Sequence, residues 1–253
     1  MSPDHRQHRG AHPADRELFA VDRLPALRTA TAELSWLLSR GYSAKSARAL
    51  VGDRHSLNER QRLAVARAAC SDTSRARRLA TQLSPLASRR QNLLIDGFNL
   101  IVTLEAALSG GILLHCRDGC LRDLASVHGS YRSVMETGPA LALVGDALAW
   151  LEPQSVRWLL DQPVSNSGRL AQRIRHLAAE RGWNWEVELV FNPDAEIAAA
   201  TGVAVTSDSA VLDRVAGWVN LAAQIVRQSL PESWVVNLSD DSVPAKPDAS
   251  CPS

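Results

Sequence analysis

Five aspartates recur at one kind of place in this chain. Asp96 closes the apolar run "LLID", Asp118 follows "ILLHCR", Asp161 closes "WLLD", Asp194 follows "ELVFNP", and Asp208 closes "VAVTSD". In an open parallel sheet the carboxyl ends of the strands share one edge, and such sheets take their ligands there. Acids gathered at that edge raise one another's pKa unless a cation, a proton or nearby Arg and Lys intervenes. Oxygen donors alone favour Mg²⁺ or Mn²⁺ over zinc, and a hard divalent ion among carboxylates most often acts on phosphoryl groups. Taken singly the aspartates have plainer uses. Asp194 and Asp208 precede helical patterns and suit N-caps, and Asp161 suits a turn. Asp96 differs, because a buried strand entering "DGFN" holds an acid rigidly, with Asn99 placed to orient it or to contact a phosphate oxygen.

The elements that must position these acids lie in the second half. Strand-like runs "NLLID", "GILLHC", "VRWLLD", "WEVELVF", "GVAVTSD" and "SWVVNL" alternate with helical patterns at "GPALALVGDALAWL", "GRLAQRIRHLAAERG" and "SAVLDRVAGWVNLAAQIVRQ". That alternation predicts an α/β domain over 93–240 with a mainly parallel sheet flanked by helices. Continuous apolar runs suit strands buried on both faces.

The first half reads as helical. Leu24, Leu27, Leu34, Leu37 and Leu38 recur at helical spacing before Gly41, a C-terminal cap. Ser43 suits an N-cap, and Ser56 with Glu59 has capping-box spacing. A small basic helical domain is expected over 15–72. Residues 73–92, rich in Ser and Arg, are expected to form a linker or a loosely attached basic helix. Residues 1–14 and 241–253 are expected as disordered tails; His5, His8 and His12 fall in the first.

Charge divides the chain. Up to Asn92 there are 17 Lys and Arg against 8 Asp and Glu; from Leu93 there are 11 against 19. Such asymmetry commonly marks a part that faces nucleic acid joined to a part with another task, although two halves that attract each other give the same counts. Arg48, Arg54 and Arg60 decorate the front helices and their turns, where they suit phosphate contacts or a solvated face. No apolar stretch is long enough to cross a bilayer and no signal-peptide core is present, so a cytoplasmic protein with no membrane partner is expected. The four cysteines, Cys70, Cys116, Cys120 and Cys251, match no common zinc or redox spacing, and "HCRDGC" lacks a second ligand pair around His115.

A second kind of site is suggested by "PVSNSGRL". Ser165, Ser167 and the amides that begin a helix at Gly168 suit an anion seat, reinforced by Arg169. "RDLASVHGSYR" adds Arg122, His128, Tyr131 and Arg132, able to contact phosphates and stack on a base, or simply to form a polar loop over the sheet edge. Most tryptophans, Trp158 among them, fall at apolar positions that suit a core.

"LLIDGFNLI" at the start of an α/β domain, with "VAVTSDSAVLDR" near its end, resembles the PIN-like nucleases, including the NYN group. The wider pattern, "LLSRGYSAKSARALVGDRHSLNERQR" in front and "RDGCLRDLASVHGSYR", "LLDQPVSNSG" and "TSDSAVLD" behind, is similar to an uncharacterised conserved prokaryotic family and spans about Asp15 to Asp213. The PIN-like resemblance implies a first-strand acid, Asp96, and a late-strand acid, Asp208, holding Mg²⁺ or Mn²⁺ for RNA hydrolysis, with Asp213 assisting. A middle acid is implied as well. Glu105, Asp118, Asp123 and Asp161 are candidates; Asp118 and Asp161 are favoured because both follow strand-like runs, whereas Glu105 reads as an exposed helix face. The expected function is a metal-dependent endonuclease with RNA preferred over DNA, homo-oligomerisation being left open. The alternatives are a nucleic-acid-binding protein without catalysis, and a metal-dependent phosphatase or phosphotransferase using Asp96 as nucleophile.

Overall fold

The structure is a computed structural model that describes residues 8–125 and 131–239. The front is helical: α1 (Asp15–Leu18), α2 (Leu24–Ser39), α3 (Ala44–Arg54), α4 (Glu59–Ala68) and α5 (Asp72–Thr81). On α2 the helical spacing buries Leu27, Ala30, Leu34 and Leu37 along one stripe. The helix ends where Gly41 adopts φ +79°, a conformation that glycine reaches without strain. Ser43 caps α3 as expected. At α4 the cap falls two residues later than Ser56, because Asn58 and Gln61 form the reciprocal pair and Ser56 is taken up in a turn at φ +50°. A ten-residue helix, α5, capped by Ser71, starts at Asp72 and runs into the expected linker as far as Thr81.

Eight strands follow among the described residues: β1 (Asn92–Asp96), β2 (Leu113–His115), β3 (Leu121–Asp123), β4 (Ser155–Asp161), β5 (Trp185–Val190), β6 (Val203–Val205), β7 (Trp218–Val219) and β8 (Val235–Asn237). The helices between them are α6 (Gly97–Leu108), α7 (Thr137–Leu151), α8 (Ser167–Arg181), α9 (Pro193–Ala199), α10 (Ser209–Leu212) and α11 (Leu221–Ser229). Five strands form a parallel sheet in the order β5-β4-β1-β6-β7, with β1 in the centre. Side chains alternate between its two faces, as the period of two requires. Leu93, Ile95, Val156, Trp158, Leu160, Val203 and Val205 face a core shared with α6, α7, α8 and α11. Leu159 and Ala204 face a second core with Ile197, Val211 and Leu212 from α9 and α10. Both faces are covered, which is why these strands read as unbroken apolar runs.

Several expectations are corrected. "GILLHC" and "SWVVNL" do not enter the main sheet. Their strands β2 and β8 pair in parallel and, with antiparallel β3, make a separate three-stranded sheet. Leu114 and Val236 of this sheet, with Leu238 just past β8, share one core with Leu27 and Leu34 of the helical front, so the two regions are packed together. The helix expected over 209–228 is broken into α10, β7 and α11, because Trp218 and Val219 pair with Ala204 and Val205 as the outer strand of the main sheet. Glu105 is fully buried rather than exposed, since the 131–137 segment and the first described residues cover that face of α6. It accepts hydrogen bonds from the hydroxyls of Tyr131 and Thr137, each at 2.5 Å, and pairs with Arg9. Two residues of the expected tail thus make contacts with the body, Arg9 with Glu105 and His8, whose Nδ1 lies 2.6 Å from Glu136. Trp158 and Trp218 are fully buried, whereas Trp36 and Trp150 are about half exposed beneath the guanidinium groups of Arg40 and Arg89. Among the described residues no helix is long and apolar enough to cross a membrane.

Candidate functional site

The carboxyl edge of β1 and β6 brings the first-strand and late-strand acids to one rim. The Thr206 hydroxyl, just past β6, donates to Asp96 Oδ2 at 2.9 Å. Asn99 Oδ1 accepts from the Ser207 amide at 2.8 Å and the Ser207 hydroxyl at 3.0 Å. The loop after β6 is thus stitched to the first turn of α6. Asp96 also caps α6, its Oδ1 lying 3.4 Å from the Asn99 amide, and Asp208 caps α10 by accepting from Ala210 and Val211. Gly97 lets α6 begin this close to the sheet. A Cβ at that position would meet Leu160 Cδ2 at 2.5 Å and the Leu159 carbonyl at 3.2 Å.

At the rim the acids raise one another, with Arg214 opposing only at Asp194. Burial, then the charges of Asp208 and Asp194, push the Asp96 carboxyl up to about 7 against the opposing hydrogen bonds from Thr206 and Asn99. Asp194 is raised by burial and then by Asp208 and Asp161, with Arg214 opposing. Asp161 is raised by burial, and its Oδ1 is enclosed without a hydrogen-bond partner. Among the described residues none of Asp96, Asp161, Asp194 and Asp208 makes a salt bridge.

The donors fit a hard divalent ion in kind: oxygen only, negatively charged, with one enclosed oxygen unpartnered. Among the described residues no group of three His, Cys, Asp or Glu side chains converges as ligands for one ion. That excludes a closed protein cage as the side chains stand.

Asp118 and Asp213 do not stand with the rim acids. Asp118 follows β2, which belongs to the small sheet, so the reasoning that a strand end places it at the shared edge does not apply. It is fully buried between Arg122, at 2.9 and 2.6 Å, and Arg78, at 2.7 Å. Burial alone would raise its pKa, but the two guanidinium groups outweigh burial and hold it at about 2. Asp213 receives Arg78 Nε and Nη2 at 2.7 and 2.8 Å. Arg122 is buried in this network and donates from Nε to the Ser207 carbonyl at 2.8 Å, so it is not displayed to a phosphate. Asp123 lies in β3, also buried, bonded to Thr103 and facing Arg67. Sequence reasoning missed Arg78, which sits in the Ser- and Arg-rich stretch read as a linker. It also missed Thr206 and Ser207, whose only signal was their place in "VAVTSD" between strand and acid.

The second suggested site is rearranged. A cleft of about 1340 Å³ is lined in part by Arg9, His12, Tyr131, Arg132, Asn166 and Arg169. Tyr131 is buried, its ring packed on Phe98 with centroids 5.1 Å apart, so it is not displayed for stacking on a base. Of the serines expected at the anion seat, Ser165 is exposed and Ser167 is buried. Ser167 donates its hydroxyl to the Gln162 carbonyl, while the Ser165 carbonyl accepts from Tyr131. Asn166 is the residue before α8, at φ +67°. Gly168 lies inside the first turn of α8 with open space around it. Arg48, Arg54 and Arg60 pair with Glu59, Glu33 and Asp15. Cys70, Cys116 and Cys120 are buried free thiols. His5, His128 and Cys251 lie outside the described residues.

A helical front packed on a parallel α/β body, with acids at the central strand end, is the class of protein the geometry defines. Residues 86–224 match the model described as Domain of unknown function (DUF5616), and residues 26–80 match Protein of unknown function (DUF434). The chain belongs to the DUF5616 family, with the DUF434 segment in front. It is 30% identical over 204 residues to the uncharacterized protein MJ0935 of Methanocaldococcus jannaschii, across 79% of this chain and 97% of that one. No solved structure matches it.

Proposed function

We propose that this protein is a PIN-like, Mg²⁺- or Mn²⁺-dependent endonuclease acting on RNA in preference to DNA. The observation that carries the reading is the Thr206 to Asp96 hydrogen bond, which sets the first-strand acid beside the loop bearing Asp208. Asp96 and Asp208 are the residues that would hold the ion. Bound there, it would supply an activated water and neutralise charge on the phosphoryl oxygens. Asp161, with its unpartnered oxygen, and Asp194, with its raised pKa, are the groups able to accept a proton from that water. Arg132 and Arg169, which line the cleft, would hold phosphates of the bound strand, whereas Tyr131 is buried against Phe98 and is not offered to a base.

The test is metal-dependent cleavage of labelled single-stranded RNA, beside an Asp96→Asn, Asp208→Asn double variant. Cleavage by the parent alone supports the reading; equal cleavage by both proteins sinks it. One observation favours a second reading, nucleic-acid binding without catalysis: Asp96 and Asp208 each cap a helix, which is reason enough for their presence. Binding by both proteins with cleavage by neither would select it.

A further inference from the structure

We propose that Arg78, carried by the last helix of the DUF434 segment, is a positioning residue for the rim. With Arg122 it clamps the 207–213 loop, so the front segment forms part of the site rather than a separate module. This rests on the reading above, in which the loop bears the late-strand acid.

Asp208 sits between two carbonyls held by arginines. The Ser207 carbonyl accepts from Arg122 Nε at 2.8 Å, and the Ser209 carbonyl from Arg78 Nη2 at 3.2 Å. Arg78 also grips Asp213, at the far end of α10, with a two-pronged fork, and Asp118 bridges the two guanidinium groups. Ser74, one turn earlier on α5, donates to Asp213 at 3.2 Å. Trp218 Nε1 returns a bond to the Arg78 carbonyl at 2.8 Å, fixing α5 against β7. Arg78 is only 3% exposed. Such arrays are a poor source of net stability, because desolvating the charges offsets their attraction. They do fix geometry, and a planar fork reaching two acceptors at once is something lysine cannot reproduce. The same loop is tied from the other side by Asn99 and Asp96. Asp208 therefore has its backbone set from both flanks, as a group needing sub-ångström placement requires.

The test uses full-length Arg78→Lys, Arg78→Ala and Asp213→Asn proteins. Measured are kcat and KM on single-stranded RNA with Mn²⁺, thermal unfolding, and hydrogen exchange of peptides covering 206–213. A displaced loop is expected to lower kcat about a hundredfold with KM within about twofold. Exchange should accelerate in that loop alone, and free guanidinium should restore part of the rate to Arg78→Ala. If Arg78→Ala does not fold, Arg78→Lys decides, since it keeps charge and most of the volume without the fork. Parent-like kcat with parent-like loop exchange would overturn the proposal. If the parent cleaves nothing, the nuclease reading fails, and the exchange measurement still decides the clamp: acceleration confined to 206–213 upholds it, and unchanged exchange overturns it.

Discussion

Two groups of carboxylates meet at the Ser207 backbone and are treated in opposite ways. The Ser207 amide and hydroxyl point to Asn99 beside Asp96; its carbonyl points to Arg122 beside Asp118. On the arginine side Asp118 is driven down to about 2, and on the rim side Asp96 is driven up to about 7. Burial pushes both the same way. What separates them is the sign of the nearest charge: two guanidinium groups for Asp118, further aspartates for Asp96. A compensated acid fixes the geometry of a loop, whereas an uncompensated one is costly to ionise. Position at a strand end does not distinguish the two.

The largest effect expected from breaking this contrast is on activity. Replacing Asp96 or Asp208 with Asn should lower metal-dependent cleavage by about a thousandfold, read as single-turnover rates at fixed pH. Next comes Asp118→Ala, which strands two buried guanidinium groups and should cost about 3–5 kcal/mol in denaturant unfolding. The sign is that of a depressed carboxylate. Its contribution is complete above the ordinary carboxylate value and is lost as pH falls toward about 2.

Asp96→Asn should act oppositely on stability. The folded protein holds that proton more tightly than the unfolded chain, so the parent loses stability as pH rises from about 4 to about 7. In metal-free buffer at about pH 8 the variant should be more stable by about 1–3 kcal/mol, an advantage that vanishes near about pH 4. Mn²⁺ should raise the Tm of the parent and not of the variant; an equal rise in both would remove Asp96 from the ion site. The smallest change is expected from Arg48→Ala. Its partner Glu59 is 81% exposed, so unfolding should move by about 0.5 kcal/mol or less.

Much of the body was legible because burial on both faces writes itself as apolar runs. β1, β4 and β5 lie where "NLLID", "VRWLLD" and "WEVELVF" place them, and α7 and α8 match their periodic segments. β3 and β7 were not legible, since three and two residues are too few to show a period. The places of Asp96, Asn99 and Asp208 at strand-to-helix junctions were legible as well. Asp118 was misplaced because its strand looks like the others and yet belongs to another sheet. Glu105 was misjudged because its partners Arg9, Tyr131 and Thr137 lie up to 96 residues away in the chain.

By itself the sequence determined most of the longer strands and helices and that acids follow several strands, because periodicity and capping are local properties of neighbouring residues. Only the tertiary structure decided which acids meet each other and which meet arginines. Coulomb interactions and desolvation depend on distance through space, and Arg78 reaches Asp213 across 135 positions of the chain.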